Sequence, residues 1–291
     1  MSESANQQIS KPAKKLVAQT ASLLHQTVAE LGLFWRSREA IYLNFSVPML
    51  GMALFVYLNR EGLLGRVFGL MMRGLGAEEM ASPLPLGEGP GVRASPMVLV
   101  TVGLITYCAI TTAFEGLVPR LVRERDAGIL KRLGGTPLRR WVFLAGKALG
   151  ASALAFVEAA LIVAVGLVSA DVAVVGSAWL LAGLLLVGTL TLAALGFIVG
   201  NLTRSPDGAV VAVHAIYIPM LLLCGAFVPV EFLPGALRVV ARIFPLTYFA
   251  TPFRAVLVEG AGLAAIGGDV VVLLAWMVAS WAVAIKTFRW E

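Results

Sequence analysis

Few side chains in this 291-residue chain are of a type and spacing that could do chemistry. Its two histidines, His25 and His214, lie far apart, and nothing near either has the spacing of metal ligands, so His214 reads as a packing or hydrogen-bonding residue. A phosphate-binding loop needs a glycine, four residues, then Gly-Lys-Ser/Thr, because its backbone amides wrap phosphates and its hydroxyl holds Mg²⁺. At Gly146-Lys147, Trp141 stands where the first glycine should be and Ala148 where the hydroxyl should be. No paired carboxylates or nucleophile with a base suggest an enzyme acting on lipid. The chain therefore reads as a non-enzyme without a cofactor or catalytic residue of its own. One ionisable group stands out: Glu158, in the middle of an apolar run, where a charge costs at least roughly 2.5–3.5 kcal/mol on insertion scales. It either lines a translocation route or subunit interface, or is a protonated group hydrogen-bonded to a neighbouring helix.

The elements that must position these residues are membrane spans. Hydrophobic residues make up 59% of the chain, charged ones 14%, and mean hydropathy is +0.87, which leaves a soluble fold nowhere to place its apolar surface. Runs of about 20 apolar residues recur, predicting an all-α polytopic membrane protein with six transmembrane helices near 40–58, 97–116, 143–168, 178–200, 209–228 and 268–286. Cys108 and Cys224 fall inside these runs and read as small packing residues. The division is an N-terminal tail and surface helix over 1–39 and a single six-helix membrane domain over 40–291.

Placing both termini in the cytoplasm puts 16 of the 23 Lys and Arg residues inside and 7 outside, as the positive-inside rule asks. The first span begins too late to be a cleaved signal peptide. Before it, Leu16, Val17, Leu23, Leu24, Val28, Leu31, Phe34 and Trp35 recur at helical spacing, predicting an amphipathic helix on the inner membrane surface, or else one packed on a partner. In the outer loop 59–96, residues 81–96 hold four prolines and three glycines, predicting a flexible insertion. The run PLPLGEGPGVR within it resembles the translation of a dispersed genomic repeat.

The most informative segment is EGLVPRLVRERDAGILKRLGGTPLRRWVFLAGK, residues 115–147. Leu121, Ile129, Leu130 and Leu133 give a first helix an apolar stripe, Gly134 and Gly135 suit its closure at positive φ, and Thr136-Pro137 suits the N-cap and first turn of a second. Two helices and a hinge are thus expected within a cytoplasmic loop at 118–142.

Here the chain resembles the type-2 permease subunits of ATP-binding-cassette transporters, particularly the daunorubicin-type drug exporters. The resemblance is carried by Arg123-Glu124-Arg125-Asp126-Ala127-Gly128-Ile129-Leu130-Lys131-Arg132-Leu133 and Thr136-Pro137-Leu138, then by Gly225, Phe227, Pro229, Leu233 and Pro234 ahead of Phe244-Pro245-Leu246-Thr247-Tyr248. Phe244 departs from the asparagine common there. The resemblance implies that residues 118–142 form coupling helices that dock on a separate ATPase subunit, which holds the ATP and Mg²⁺. Leu130, Leu133 and Leu138 would be the anchors and Arg123, Glu124, Arg125, Lys131 and Arg132 the charged rim, with Gly128, Thr136 and Pro137 shaping the turn. It further implies a second permease copy, identical or paralogous, and a bacterial cytoplasmic membrane as location. An ion-coupled secondary transporter is the runner-up, and nucleic acid is not an expected partner.

Between the fifth and sixth spans, Pro229, Pro234, Pro245 and Pro252 cut residues 229–262 into pieces too short to cross a bilayer. Short re-entrant or surface helices are expected there. Arg238 and Arg242 would share one face, and Leu237, Val240, Ala241 and Phe244 would face hydrocarbon. Pro229, Pro234, Pro245 and Tyr248 are candidates for an outer gate, or for a structural cap over the bundle.

Overall fold

The structure, a computed structural model, describes residues 19–32, 38–74, 96–169, 175–227, 230 and 233–290. The 81–95 stretch of the proline- and glycine-rich insertion, Trp35, Arg36 and Pro229 lie outside these residues. Helices account for most of the described residues, and no strand occurs among them. In chain order they are α1 (19–32), α2 (Arg38–Arg60), α3 (Leu63–Gly74), α4 (Pro96–Ile110), a π-helical turn (Thr111–Glu115), α5 (Leu117–Asp126), α6 (Ile129–Gly134), α7 (Arg140–Ser169), α8 (Ala178–Leu202), α9 (Pro206–Leu223), α10 (Gly235–Ala241), α11 (Thr247–Glu259) and α12 (Leu263–Thr287).

Among the described residues, five helical rods are long and apolar enough to cross a membrane: Met97–Asp126, Arg140–Val168, Ala178–Leu202, Pro206–Leu223 and Leu263–Thr287. They match the second to sixth predicted runs. The second is longer than expected, because α4, the π-turn and α5 form one rod that carries helix well past residue 116. At 1.5 Å per residue, 30 residues span about 45 Å, more than a hydrocarbon core of about 30 Å, so this rod projects beyond it.

Burial follows from what each helix touches. The rod 97–126 is the most enclosed, packed by α2, α7, α8, α9 and α11. The fourth predicted span, α8, is the other axis of the bundle and contacts α7, α12, α5 and α11. Gly196 and Gly200 let α5 approach it closely: a β-carbon at Gly200 would lie 3.0 Å from Leu121 Cδ2, and one at Gly196 3.3 Å from Val118 Cγ2. Some polar groups within the bundle pair between helices, as suits a low-dielectric interior. Ser152 and Thr189 hydroxyls lie 2.8 Å apart, joining α7 to α8, and Trp281 Nε1 donates to Leu190 O at 3.2 Å, joining α12 to α8.

By contrast, α9 and α12 leave most of their apolar surface uncovered. On α2, Val47, Leu50, Leu54 and Tyr57 form one exposed stripe at helical spacing while Met52 is fully buried. Within 229–262 the two expected short helices are α10 and α11. Here one expectation is corrected: Ala241 does not face hydrocarbon but is fully buried against Val230 and Leu233, because Thr247 Oγ1 donates to Ala241 O at 2.6 Å and folds the end of α10 onto the start of α11. Buried Phe249, Ala250, Pro252 and Phe253 then wedge α11 among α4, α8 and α12.

Candidate functional site

The elbow expected between spans two and three exists, but it is built differently. Its single left-handed residue is Gly128, at φ +70°, which turns α5 into α6. Gly134 and Gly135 do not supply positive φ; Gly135 is right-handed at φ −75°. Nor does Thr136 cap the next helix, since its hydroxyl donates back to Leu133 O at 2.6 Å, and α7 starts only at Arg140. Thr136 and Pro137 therefore form the exposed return of the elbow.

The residues expected to dock a partner divide in two. Arg123, Lys131, Arg132, Thr136 and Pro137 are exposed along one projection, with Ile129, 43% exposed, as its apolar member. Leu130 is buried in the chain's own core, with Leu133 and Leu138 packed partly against it, so these leucines hold the elbow to the bundle. Arg125 also turns inward. Its guanidinium donates to Gly200 O at 3.3 Å and to Thr203 O, two carbonyls at the C-terminal end of α8 that lack helical partners. The C-terminal residues brace the other side. Arg140 Nη1 donates to Phe288 O at 3.1 Å, Trp290 packs directly on Gly134, and Phe143, Phe288 and Trp290 stack with centroids 5.1–5.7 Å apart.

Glu124 joins a buried four-residue charge cluster. Lys147 Nζ lies 2.8 Å from both Glu30 Oε1 and Glu124 Oε1, while Arg120 reaches Glu30 Oε2 at 2.7 Å and Glu124 Oε1 at 3.4 Å. Two cations and two anions neutralise one another, tying α1, α5 and α7 together. The notches at Gly146 and Gly150 let α1 in: a β-carbon at Gly146 would sit 2.5 Å from Gln26 Cγ, and one at Gly150 3.1 Å from Glu30 Cβ. The inward face of α1 thus carries Glu30, and apolar Leu24 and Val28 point outward, 64% and 66% exposed. Sequence periodicity found the apolar stripe of α1 but not the role of Glu30. The signal available was a Gly-x-x-x-Gly pair beside Lys147.

Next to this cluster is a cavity of about 780 Å³ between α1, α2, the rod 97–126, α7 and α9. The π-turn shapes it. Pro119 has no N–H to offer Glu115 O, and its ring crowds that carbonyl, so the ladder opens one turn earlier into i→i+5 pairing, with Gly116 N donating to Thr111 O at 2.7 Å. Thr111, Thr112 and Glu115 of that turn line the cavity, with Tyr107 above them and His214 opposite. His214 Nδ1 lies 2.8 Å from Val210 O, its Nε2 3.4 Å from Glu115 Oε1, and its ring stacks edge-on with Tyr217. His214 is therefore a hydrogen-bonding residue, and no group of three or more metal-ligating side chains occurs among the described residues.

Glu158 is 1% exposed and stands behind the cavity wall, accepting a 2.8 Å hydrogen bond from Thr112 Oγ1 on the neighbouring rod. Its Oε1 is buried with no hydrogen-bond partner, the thiol of Cys108 being a weak donor in its surroundings. At the opposite end of the bundle, Pro234 precedes α10, Pro245 lies in the turn to α11, and Tyr248 Oη donates to Arg242 O at 2.9 Å. That hydrogen bond ties the outer segment to itself.

Residues 20–258 match the family described as ABC-2 type transporter. Over 166 residues the chain is 26% identical to the probable multidrug ABC transporter permease YbhR of Escherichia coli K12, and equally to its counterpart in strain O157:H7. The match covers 57% of this chain and 43% of each relative, so less than half the length of those relatives is represented.

Proposed function

We propose, from the premise that this chain belongs to the ABC-2 type transporter family, that it is the membrane-spanning permease subunit of an ATP-driven exporter in a bacterial cytoplasmic membrane. Six spans with both termini inside complete the reading. Helix α2, 23 residues and about 34 Å long, is the first of them, and its exposed stripe faces lipid or a second permease copy. The uncovered faces of α9 and α12 suit the same surroundings.

The observation that carries the reading is the elbow at 126–137, exposed outward and braced inward by the bundle. Its charged residues and Ile129 suit a groove on a separate ATPase subunit, because an apolar anchor ringed by charges gives both burial and register. Force applied there reaches more than the attached second and third spans. Arg125 passes it to the turn between α8 and α9, and the Phe288–Trp290 tail passes it to α12. ATP-driven closure of the partner pair thus moves the cavity walls on both sides, which is what switching access requires.

Co-purification tests this. Reversing the charge of Arg123, Lys131 and Arg132 together with Ile129→Asp leaves the internal braces intact and is expected to abolish association with the ATPase subunit that co-purifies with the unaltered chain. Undiminished association sinks the docking assignment. Transport that persists without ATP but stops when ion gradients are collapsed sinks the ATP-driven reading itself.

A further inference from the structure

Two titratable side chains face each other across the seam between α9 and the rod 97–126. His214 Nε2 on α9 lies 3.4 Å from Glu115 Oε1 in the π-turn, and both side chains line the cavity, 44% and 30% exposed, so water and protons reach them. Because Val210 O can only accept, His214 Nδ1 at 2.8 Å from it is the donor, and a neutral ring turns a bare Nε2 toward Glu115. Without a further proton the contact sets acceptor against acceptor and does not bond. One proton changes that. On Nε2 it makes an imidazolium–carboxylate pair, and on the carboxyl it makes an O–H donor to Nε2; either fastens α9 to the π-turn.

The span so fastened is one of the two that the bundle covers least. Around His214, α9 is held by buried Ala209, Val213 and Met220, whose apolar contacts are indifferent to pH. Pro219, five residues further on, cannot donate to Ala215 O, which leaves a point of bending in α9 beside the pair. We propose that Glu115 and His214 form a proton-dependent latch: with one proton between them the cavity is closed along this seam, and with none α9 moves away from the π-turn. Its use in gating passage rests on the exporter reading, whereas the latch itself does not.

The other groups that face the pair do not carry this dependence. From the rod, Tyr107, Arg120 and Arg123 line the cavity, α7 adds Lys147, α1 adds Glu30, and α2 adds the uncharged Asn44. Arg120 and Lys147 are each held between Glu30 and Glu124. Cys108 and Glu158 are buried behind the wall, the latter bonded to Thr112. On α9 itself, Tyr217 stacks edge-on with the imidazole and Asp207 lies two turns back. Helix α8 has no titratable side chain, and Arg238 of α10 donates to Leu233 O. Guanidinium, ammonium and phenol groups ordinarily keep one charge state between about pH 5.5 and 8.5, a window in which imidazole changes its own. The latch is therefore closed at the acid end of that window and open at the alkaline end.

The test uses the full-length chain in lipid nanodiscs, without nucleotide or ATPase, with Cys108 and Cys224 replaced by alanine. Nitroxide labels go on cysteines introduced at Val211 of α9 and Val283 of α12, both exposed, and their separation is read by pulsed electron resonance at about pH 5.5 and 8.5. With Glu115 and His214 in place, the separation is expected to differ between the two pH values by at least about 2 Å. Glu115→Gln should hold the acid-side separation at both, because its amide donates to a bare Nε2 and accepts from an imidazolium. His214→Phe should hold the alkaline-side separation at both. A separation that ignores pH with the pair intact overturns the proposal. So does a pH-dependent shift that survives either substitution, which would point to His25, exposed on α1, or to another group. None of these outcomes touches ATPase association, so failure of the latch and failure of the exporter reading are told apart.

Discussion

Replacing Lys147 with methionine removes the central cation of the buried cluster, which also lies 5.1 Å from the centroid of the Phe143 ring, while keeping an unbranched apolar side chain. Its ammonium lies 2.8 Å from each of two carboxylates, and the side chains of Lys147, Glu30 and Glu124 are 4%, 9% and 16% exposed. Removing one partner of a buried ion pair typically costs about 3–5 kcal/mol, because the opposite charge is left uncompensated. Here Arg120 still reaches both carboxylates, and the cavity gives Glu30 access to water, so the expected loss falls just below that range, about 2–3 kcal/mol. For a chain of this size that corresponds to a fall in Tm of roughly 5–10 °C. The buried thiols of Cys108 and Cys224 provide the assay, since a thiol-reactive fluorophore labels them only as the bundle opens. The triple variant Lys147→Met, Glu30→Gln, Glu124→Gln should recover part of that loss, because no bare carboxylates remain to repel one another. A Lys147→Met curve overlying wild type, or a triple variant that loses the sum of its separate losses, would refute the reasoning.

Other outcomes follow from the same geometry. Gly146→Leu should displace α1, raising hydrogen exchange over residues 19–32 while spans α7 and α8 stay protected; unchanged exchange would mean that the close approach at Gln26 does not hold the helix. Arg125→Met should cost about 1–3 kcal/mol through two lost charge-assisted bonds and should uncouple transport while ATPase association persists, with Arg125→Lys restoring part; loss of association instead would return Arg125 to the docking surface. Glu158→Gln can keep the bond from Thr112 and should leave Tm, assembly and transport close to wild type, whereas Thr112→Val should destabilise by about 1–3 kcal/mol. Abolished transport in a well-assembled Glu158→Gln variant would show a functional carboxyl.

The spans were legible because hydrocarbon imposes length and apolarity on each helix separately, and the helices found over 97–126, 140–168, 178–202, 206–223 and 263–287 begin or end within a few residues of expectation. What pairs with what was not legible. Arg125 looks like any other cation in an Arg-Glu-Arg run, and only the packing of α5 on α8 shows that it faces carbonyls instead of solvent. Leu130 and Ile129 are adjacent apolar residues of opposite fate, one buried in the core and one exposed, which a stripe of four apolar residues cannot distinguish. Placing positive φ at Gly134 and Gly135 followed the usual position of glycine after a helix; the chain turns earlier, at Gly128, because α5 is the end of a long rod. The cavity residues Tyr107, Thr112 and Glu115 come together through the π-turn, whose sequence signal was Pro119 inside an otherwise helical pattern.

That turn also sets an angle. A π-turn holds one residue more than the α-helix would, so the two halves of the rod are out of phase by about 100° around a common axis. Everything beyond Gly116, the elbow at 126–137 included, is aimed by that offset. Losing a single residue between Ile110 and Gly116 would close the ladder and swing the elbow by more than a quarter turn without altering any of its side chains. The length of this short segment therefore sets which way the elbow points, independently of the elbow's own sequence.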